Sequence, residues 1–316
     1  MDNDEADALF LKAISYISGA GGSEVNPAEA LAIFESLAEN GHGNGMFGLA
    51  EMLMVGAGTE RNAERAKELY TKAAEAGHIE SKFRLGMIHT GNFGFPADPK
   101  KSFENFLEAA EAGLPEAFAP AGDCYFYGSG TEQNFTEAFR WFSKAAEFKD
   151  PVAMFKCAYM YESGTGTEAD EEKSVSLFRE SAEAGLPEAQ MKMADLAHSG
   201  KTEGGAEKAA EWYRRASEAG MTAATVSLGT LYYEGKGVPK DYAKAYGLYS
   251  EAEKQGDSDA AMLKGIMEMK GLGTEKDPEK AMKSISRAAE LGNQEAKAFL
   301  ENMRRAQNTQ FVRIDG

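Results

Sequence analysis

The chain has 316 residues, 43% of them hydrophobic, with 51 acidic side chains against 34 basic ones and a formal net charge of -17. So apolar a chain is not disordered, and so acidic a surface repels phosphate, which disfavours nucleic acid and anionic membrane as partners. No apolar run approaches the roughly 20 residues of a membrane span, and the start MDNDEADA is acidic where a secretory signal is basic, so no membrane insertion and a cytoplasmic location are expected.

A helix-ending segment recurs along the chain as LAENG, AAEAG, AAEAG, AAEFK, SAEAG, ASEAG, EAEKQG and AAELG. It sets a register position at Gly41, Gly77, Gly113, Lys149, Gly185, Gly220, Gly256 and Gly292, with steps of 36 residues and a single step of 35. The predicted repeats run about 6–41, 42–77, 78–113, 114–149, 150–185, 186–220, 221–256 and 257–292, followed by a capping helix over 293–305 and a tail over 306–316. A period of this size is the signature of a stacked two-helix array, and the whole of 1–305 reads as one all-α repeat domain.

Fifteen residues before each register position stand Asn26, Asn62, Asp98, Asn134, Asp170, Gly205, Asp241 and Asp277. These are predicted N-caps of a helix B of about 14 residues, because short polar side chains accept from free first-turn amides. Pro27, Pro99 and Pro278 follow three of them, where a missing N–H is harmless. The register glycine supplies the left-handed residue that stops the helix. Helix A precedes each B helix, as over Pro187–His198 or Ala223–Glu234, and ends in GxG pairs such as Gly128/Gly130 and Gly235/Gly237. The one deletion falls in such a turn, SGKTEGG.

Helix A carries small residues at two places. Four past the register come Gly45, Ser81, Ala117, Ala153, Ala189, Ala224, Ala260 and Ala296; nine past it come Ala50, Gly86, Gly122, Ala158, Ala194, Gly229 and Gly265. The space is expected to be filled by the B-helix column Phe34, Tyr70, Phe106, Phe142, Phe178, Tyr213, Tyr249 and Ile285, so that successive repeats bury one continuous core. The ends depart from the pattern: Leu9 and Ile14 stand where small residues belong in the first unit, and Glu301 in the last.

Chemistry is sparse. HExxH, GxSxG, GxxxxGK[ST] and calcium-loop motifs are absent and the recurring GxG pairs read as repeat turns, so no catalytic residue, cofactor or metal site is expected. Cys124 and Cys157 read as buried core thiols, and His42 and His78, each just after a register glycine, as solvated turn residues. Asn134-Phe135-Thr136 fits a glycosylation acceptor but coincides with a helix cap.

The unit resembles the Sel-one-like repeat, a relative of the tetratricopeptide repeat, most fully at SLGTLYYEGKGVPKDYAKAYGLYSEAEKQG up to Gly256, and the likeness extends over about 295 residues. It implies a right-handed α-solenoid whose function is that of a scaffold or adaptor for protein partners, not an enzyme. Several turns read GTE where the family usually has GV, and the cysteine pairs of the family's secreted, penicillin-binding branch are absent. A cell-wall fragment or β-lactam-binding protein with weak hydrolase activity is therefore the alternative.

By the same resemblance the A helices line a concave groove, which would display the positions six, ten and thirteen past the register. The first column is Phe47, Phe83, Ala119, Phe155, Met191, Val226 and Met262, a candidate for inter-repeat core as much as for groove. The other two supply the candidate partner-binding residues Glu51, Met87, Asp123, Tyr159, Asp195 and Ile266, and Met54, Phe126, Glu162, His198, Tyr233 and Met269. Methionines and rings among carboxylates suit a protein or peptide ligand that is apolar and basic, in the manner of an immunity-type protein masking a basic surface. The tail segment Phe311-Val312-Arg313-Ile314 is expected to fray, to fold back on the last helix or to add to a partner as an extended strand.

Overall fold

A computed structural model describes residues 2–22 and 24–314, with Asn3 and residues 306–314 described by backbone alone. The chain divides into two compact units. The first, Met1–Asp170, carries α1 (Asn3–Ser18), α2 (Pro27–Glu39), α3 (Gly43–Val55), α4 (Ala63–Glu75), α5 (Ile79–His89), α6 (Pro99–Glu111), α7 (Pro115–Tyr127), α8 (Phe135–Glu147) and α9 (Pro151–Ser163). The second, Glu171–Gly316, carries α10 (Glu171–Glu183), α11 (Pro187–His198), α12 (Gly205–Glu218), α13 (Thr222–Glu234), α14 (Tyr242–Lys254), α15 (Ser258–Lys270), α16 (Pro278–Glu290) and α17 (Gln294–Ile314). Odd-numbered helices are the A helices and even-numbered ones the B helices. No strand occurs among the described residues, and within each unit every helix packs on the next, the arrangement of an all-α repeat solenoid.

The B helices start where short polar side chains cap them. Asn26, Asn62, Asp98, Asn134, Asp241 and Asp277 each accept from the amide three residues on, at 2.9–3.2 Å. Gly205 departs from that expectation: the N-cap of α12 is Gly204, in the left-handed region at φ 89°, and no side chain caps this helix. The deleted residue shortens this turn, and a glycine pair closes it. Every register glycine has positive φ, from 75° at Gly41 to 108° at Gly292, and Lys149 adopts the same conformation at φ 62° without being glycine.

The GxG pairs divide two tasks. The first glycine ends helix A in the left-handed conformation, as Gly128 does at φ 68°. The second lets two repeats touch: a Cβ on Gly130 would lie 2.0 Å from the carbonyl oxygen of Pro99, the first residue of the preceding B helix. A side chain there would push apart the backbones that the stack brings together.

The large-into-small fit holds in the core. All eight large B-helix residues are buried, and Cβ atoms built on Gly86, Gly122, Gly229 and Gly265 would come within 2.6–2.8 Å of Phe106, Phe142, Tyr249 and Ile285. Gly45, in the other small column, sits against Leu37 of the preceding B helix. In the first repeat the second of the expected positions is off by one: Ala13 is fully buried while Ile14 is 40% exposed. The turn from Gly19 to Asn26 is one residue longer than that from Gly56 to Asn62, which slips α1 back by one. Glu301 is exposed on α17, as an end that meets no further B helix requires.

The last helix does not stop near Arg305 but continues to Ile314. After Gly292 the sequence has neither glycine nor proline until Gly316, so nothing interrupts the helical backbone. The backbone of Phe311–Ile314 is thus helical, not extended, and its side chains lie outside those described.

Candidate partner-binding surface

A second set of caps fixes the A helices, one residue past the register. Asp150, Asp257 and Asn293 accept from the amides of Ala153, Ala260 and Ala296 at 2.7 Å. His42 and His78 do the same with Nδ1, accepting from Gly45 at 3.2 Å and Ser81 at 3.3 Å. They are therefore not solvated turn residues. The His78 ring lies 4.8 Å from that of Phe47, and its side chain is only 12% exposed. Burial holds its pKa below the ordinary 6.5, against an opposing pull from Glu80 and with a smaller contribution from His42 in the same direction.

Five A helices are held this way, and the small residues of the A helices face the B helices. The column six past the register is half-buried and packs on the large residues: Phe47 lies 5.8 Å from Tyr70 and Phe83 5.7 Å from Phe106. None of the twelve candidate residues is buried. Tyr159, Glu162, Asp195 and His198 are exposed, and Glu51, Met54, Met87, Asp123, Phe126, Tyr233, Ile266 and Met269 are half-buried.

In the first unit two of the candidate carboxylates, Glu51 and Asp123, are held within the fold. Glu51 accepts from Tyr70 Oη at 2.6 Å and from both Nε and Nη2 of Arg84, at 2.7 and 3.1 Å. Arg84 Nη1 also reaches the sulfur of Met87. Asp123 pairs with Lys156 in the same relation, two repeats on. Phe126 packs against Phe135 and Phe142, with ring centroids 5.3 and 6.3 Å apart, so it supports the core edge as well as the surface. Tyr159 stands edge-on to Phe155 and is 42% exposed. In the second unit Tyr213 donates to Asp195 at 2.6 Å, Tyr249 meets Thr230 at 3.0 Å, and the rings of Tyr233 and Tyr242 lie 5.3 Å apart. Burial first, and then the carboxylate beside each, pushes the Tyr70 and Tyr213 hydroxyls far above the usual tyrosine range, so both remain donors.

Each unit opens a small cavity between successive A helices, over such a tyrosine. One of about 220 Å³ is walled by Glu51, Met54, Val55, Tyr70, Arg84 and Phe93, with Ile88 beneath. The other, of about 260 Å³, has His198, Tyr213, Val226, Thr230 and Glu234 around it. Val55 and Phe93, which the sequence reading missed, are 73% and 43% exposed, and Tyr127 is 69% exposed. Val55 and Tyr127 are the last residues of their A helices, fourteen past the register, one turn beyond the column ten past it. Among the described residues no group of three or more His, Cys, Asp or Glu could hold a metal ion. Cys124 and Cys157 are free and buried, and burial pushes both thiols up to about 11.

The repeat model described as Sel1 repeat matches residues 6–42, 43–78, 79–114, 121–147, 151–186, 187–221, 222–257 and 258–293. The chain belongs to the Sel1 repeat family. Among solved structures it is similar to a Sel1 repeat protein from Oxalobacter formigenes, at 27% identity and a TM-score of 0.71, over 96% of this chain and 87% of that one. It is also similar to c5321, a protective antigen of uropathogenic Escherichia coli with an SLR fold, at 26% identity and a TM-score of 0.62, over 96% and 72% of the two chains. The tetratricopeptide-repeat sensor protein PH0952 of Pyrococcus horikoshii shares the fold alone, at 15% identity and a TM-score of 0.50, over 93% and 47%. Among curated proteins none matches. Sel1 repeats and their tetratricopeptide relatives are interaction scaffolds as a class, and no helix described here is long and apolar enough to cross a membrane.

Proposed function

We propose that this Sel1 repeat protein is a non-catalytic scaffold that captures a protein or peptide segment, apolar and basic in character, on the A-helix face. The observation that carries the reading is the cavity over Tyr70: an apolar rim of Met54, Val55 and Phe93 beside the carboxylate of Glu51. Such a site takes an aliphatic or aromatic side chain into the cavity while a neighbouring Lys or Arg shares Glu51 with Arg84. The recurrence of a like cavity in the second unit, beside His198 and Tyr213, supports a partner read at more than one repeat.

The test is titration of the protein with peptides that combine Lys or Arg with Leu, Phe or Trp, followed by Met54→Ala and Tyr159→Ala. Each substitution should weaken binding by more than about 1 kcal/mol, as for a contact near the centre of an interface. The unfolding free energy of Tyr159→Ala should stay within about 1 kcal/mol of the parent, since its side chain is 42% exposed. Binding should also fall steeply from low to moderate salt, because exposed charges are screened. Salt-independent binding would remove the basic character of the ligand from the proposal. Turnover of a chromogenic β-lactam that a single substitution abolishes would overturn the scaffold reading itself.

A further inference from the structure

On the B-helix side of the second unit lies a cleft of about 700 Å³ between α10 and α12, over Met193 of α11. Its walls reverse the charge balance of the chain, with Arg179, Lys208 and Arg215 facing Glu183 and Glu203. Lys208 is held by Glu211 at 2.6 Å, and Arg215 Cζ lies over the Trp212 ring, 4.8 Å from its centroid. Neither Arg179 nor Arg215 has a carboxylate partner among the described residues. Thr202 also lines the cleft, and its buried hydroxyl finds no hydrogen-bond partner in the protein. Glu211, beside the cleft, is held below the usual carboxylate range, first by the Lys208 hydrogen bond and further by Arg215 and Arg214.

The corresponding cleft of the first unit, between α4 and α6, supplies the contrast. It measures about 500 Å³ and is lined by Lys67, Lys82 and Lys101. There the cations are already engaged: Lys82 with Glu108, Lys101 with Asp98, and Lys67 over the Phe95 ring. In the α10–α12 cleft Arg179 is left over, and Arg215, which rests on the Trp212 ring, has no carboxylate within ion-pair distance. The cleft also lies where the chain deletes one residue, beside Gly204, so the exception in sequence and the exception in charge coincide.

We propose that this cleft is an oxyanion site for a phosphate dianion, free or as a monoester. Two guanidinium forks give the planar, paired donors that phosphate oxygens take, with Lys208 as a third cation. The volume exceeds that of the anion alone and leaves room for a small organic group on it. The site is separate from the A-helix face and does not depend on the scaffold reading.

The experiment titrates the full chain with inorganic phosphate, O-phosphoserine and, at matched ionic strength, sodium chloride. Binding is followed by calorimetry and by amide shifts of Gly204–Glu207. Saturable heats and shifts with the first two and none with chloride are expected. Tighter phosphoserine than phosphate would identify a monoester as the ligand, and equal affinities free phosphate. The Arg179→Gln/Arg215→Gln pair should weaken either by about tenfold or more, as loss of charge-assisted hydrogen bonds does, while Lys82→Gln/Lys101→Gln leaves it unchanged. Should the arginine pair not fold, Arg215→Lys keeps the charge, removes the fork and should still weaken binding. Chloride reproducing the response, or undiminished binding in the folded arginine variants, would overturn the assignment.

Discussion

Gly229→Ala and Gly247→Ala are the same chemical change on adjacent helices of one unit, and the packing predicts opposite signs. Both glycines are helical, so alanine brings each about 1 kcal/mol of helix propensity. At Gly247 nothing lies within 4 Å of the added Cβ, and the gain should appear almost whole. At Gly229 the Cβ would sit 2.8 Å from Cε1, 3.1 Å from Cδ1 and 3.3 Å from Cζ of Tyr249. Carbon pairs prefer about 3.5–4.0 Å, so the ring must retreat by roughly 0.7 Å. It has little freedom to do so: Tyr249 is 1% exposed, and its hydroxyl is tied to Thr230 at 3.0 Å. Overpacking of this kind costs about 1–3 kcal/mol. The net change is a loss of about 1 kcal/mol at Gly229 against a gain of about the same at Gly247.

Stacked repeats unfold in parts, so the readout is native-state hydrogen exchange of the α13 and α14 amides, with urea denaturation beside it. Tyr249→Leu supplies the third corner of a double-mutant cycle. A smaller side chain leaves room for the Cβ, so Gly229→Ala should cost less in that background than in the parent. If Gly229→Ala stabilises the protein as much as Gly247→Ala does, the large-into-small fit is not what brings the helices together.

The Nδ1 cap of His78 requires a neutral ring, and its pKa is lowered in the fold, so the unfolded chain takes up the proton first as pH falls below 6.5. Its contribution is therefore present above that pH and is lost as pH falls through the folded pKa; His78→Asn, which caps without titrating, should lose less urea stability between pH 7.5 and pH 5.5 than the parent. Lys149→Gly should stabilise by about 0.5–1 kcal/mol in urea, since left-handed backbone costs a side-chain-bearing residue about 1–2 kcal/mol and glycine's extra entropy returns about half of that. Glu268 is fully buried and takes Tyr246 Oη at 2.8 Å and Ser284 Oγ at 2.7 Å, with Lys280 at 3.4 Å. Glu268→Ala strands these groups and should cost about 3–5 kcal/mol in exchange protection of α15 and α16, and Glu268→Gln clearly less.

Much of the fold was legible because one chemical solution recurs at one place. Every B helix needs an acceptor at its start, and the chain uses Asn or Asp six times where a side-chain cap is seen. The A-helix caps escaped for the opposite reason. The position one past the register holds histidine, leucine, aspartate, methionine and asparagine, and only five of its eight residues cap with their side chains. The slip in α1 was readable as a seven-residue step from Gly19 to Asn26 in place of six. That the varied A-helix columns ten and thirteen past the register avoid full burial was legible from variability, but eight of the twelve candidate residues there are only half-exposed. Their ion pairs were not legible, although the signal exists: an acid ten past one register is followed 33 residues later by a base, as in Glu51 with Arg84 and Asp123 with Lys156.

Those pairs also constrain how the A-helix face can recognise anything. Glu51 already accepts three hydrogen bonds, so a partner's lysine gains there only what remains after Arg84 is partly displaced. Point-to-point pairing is thus a weak source of affinity at this position. On the proposed reading, the apolar rim around it and the long-range attraction of a chain with a net charge of -17 would be stronger ones. Affinity should then track the partner's apolar side chains, and association rate its positive charge. Substituting Glu51 would confuse the two, because it also strands Tyr70 and Arg84, whereas Met54 and Val55 report on the rim and added salt on the field.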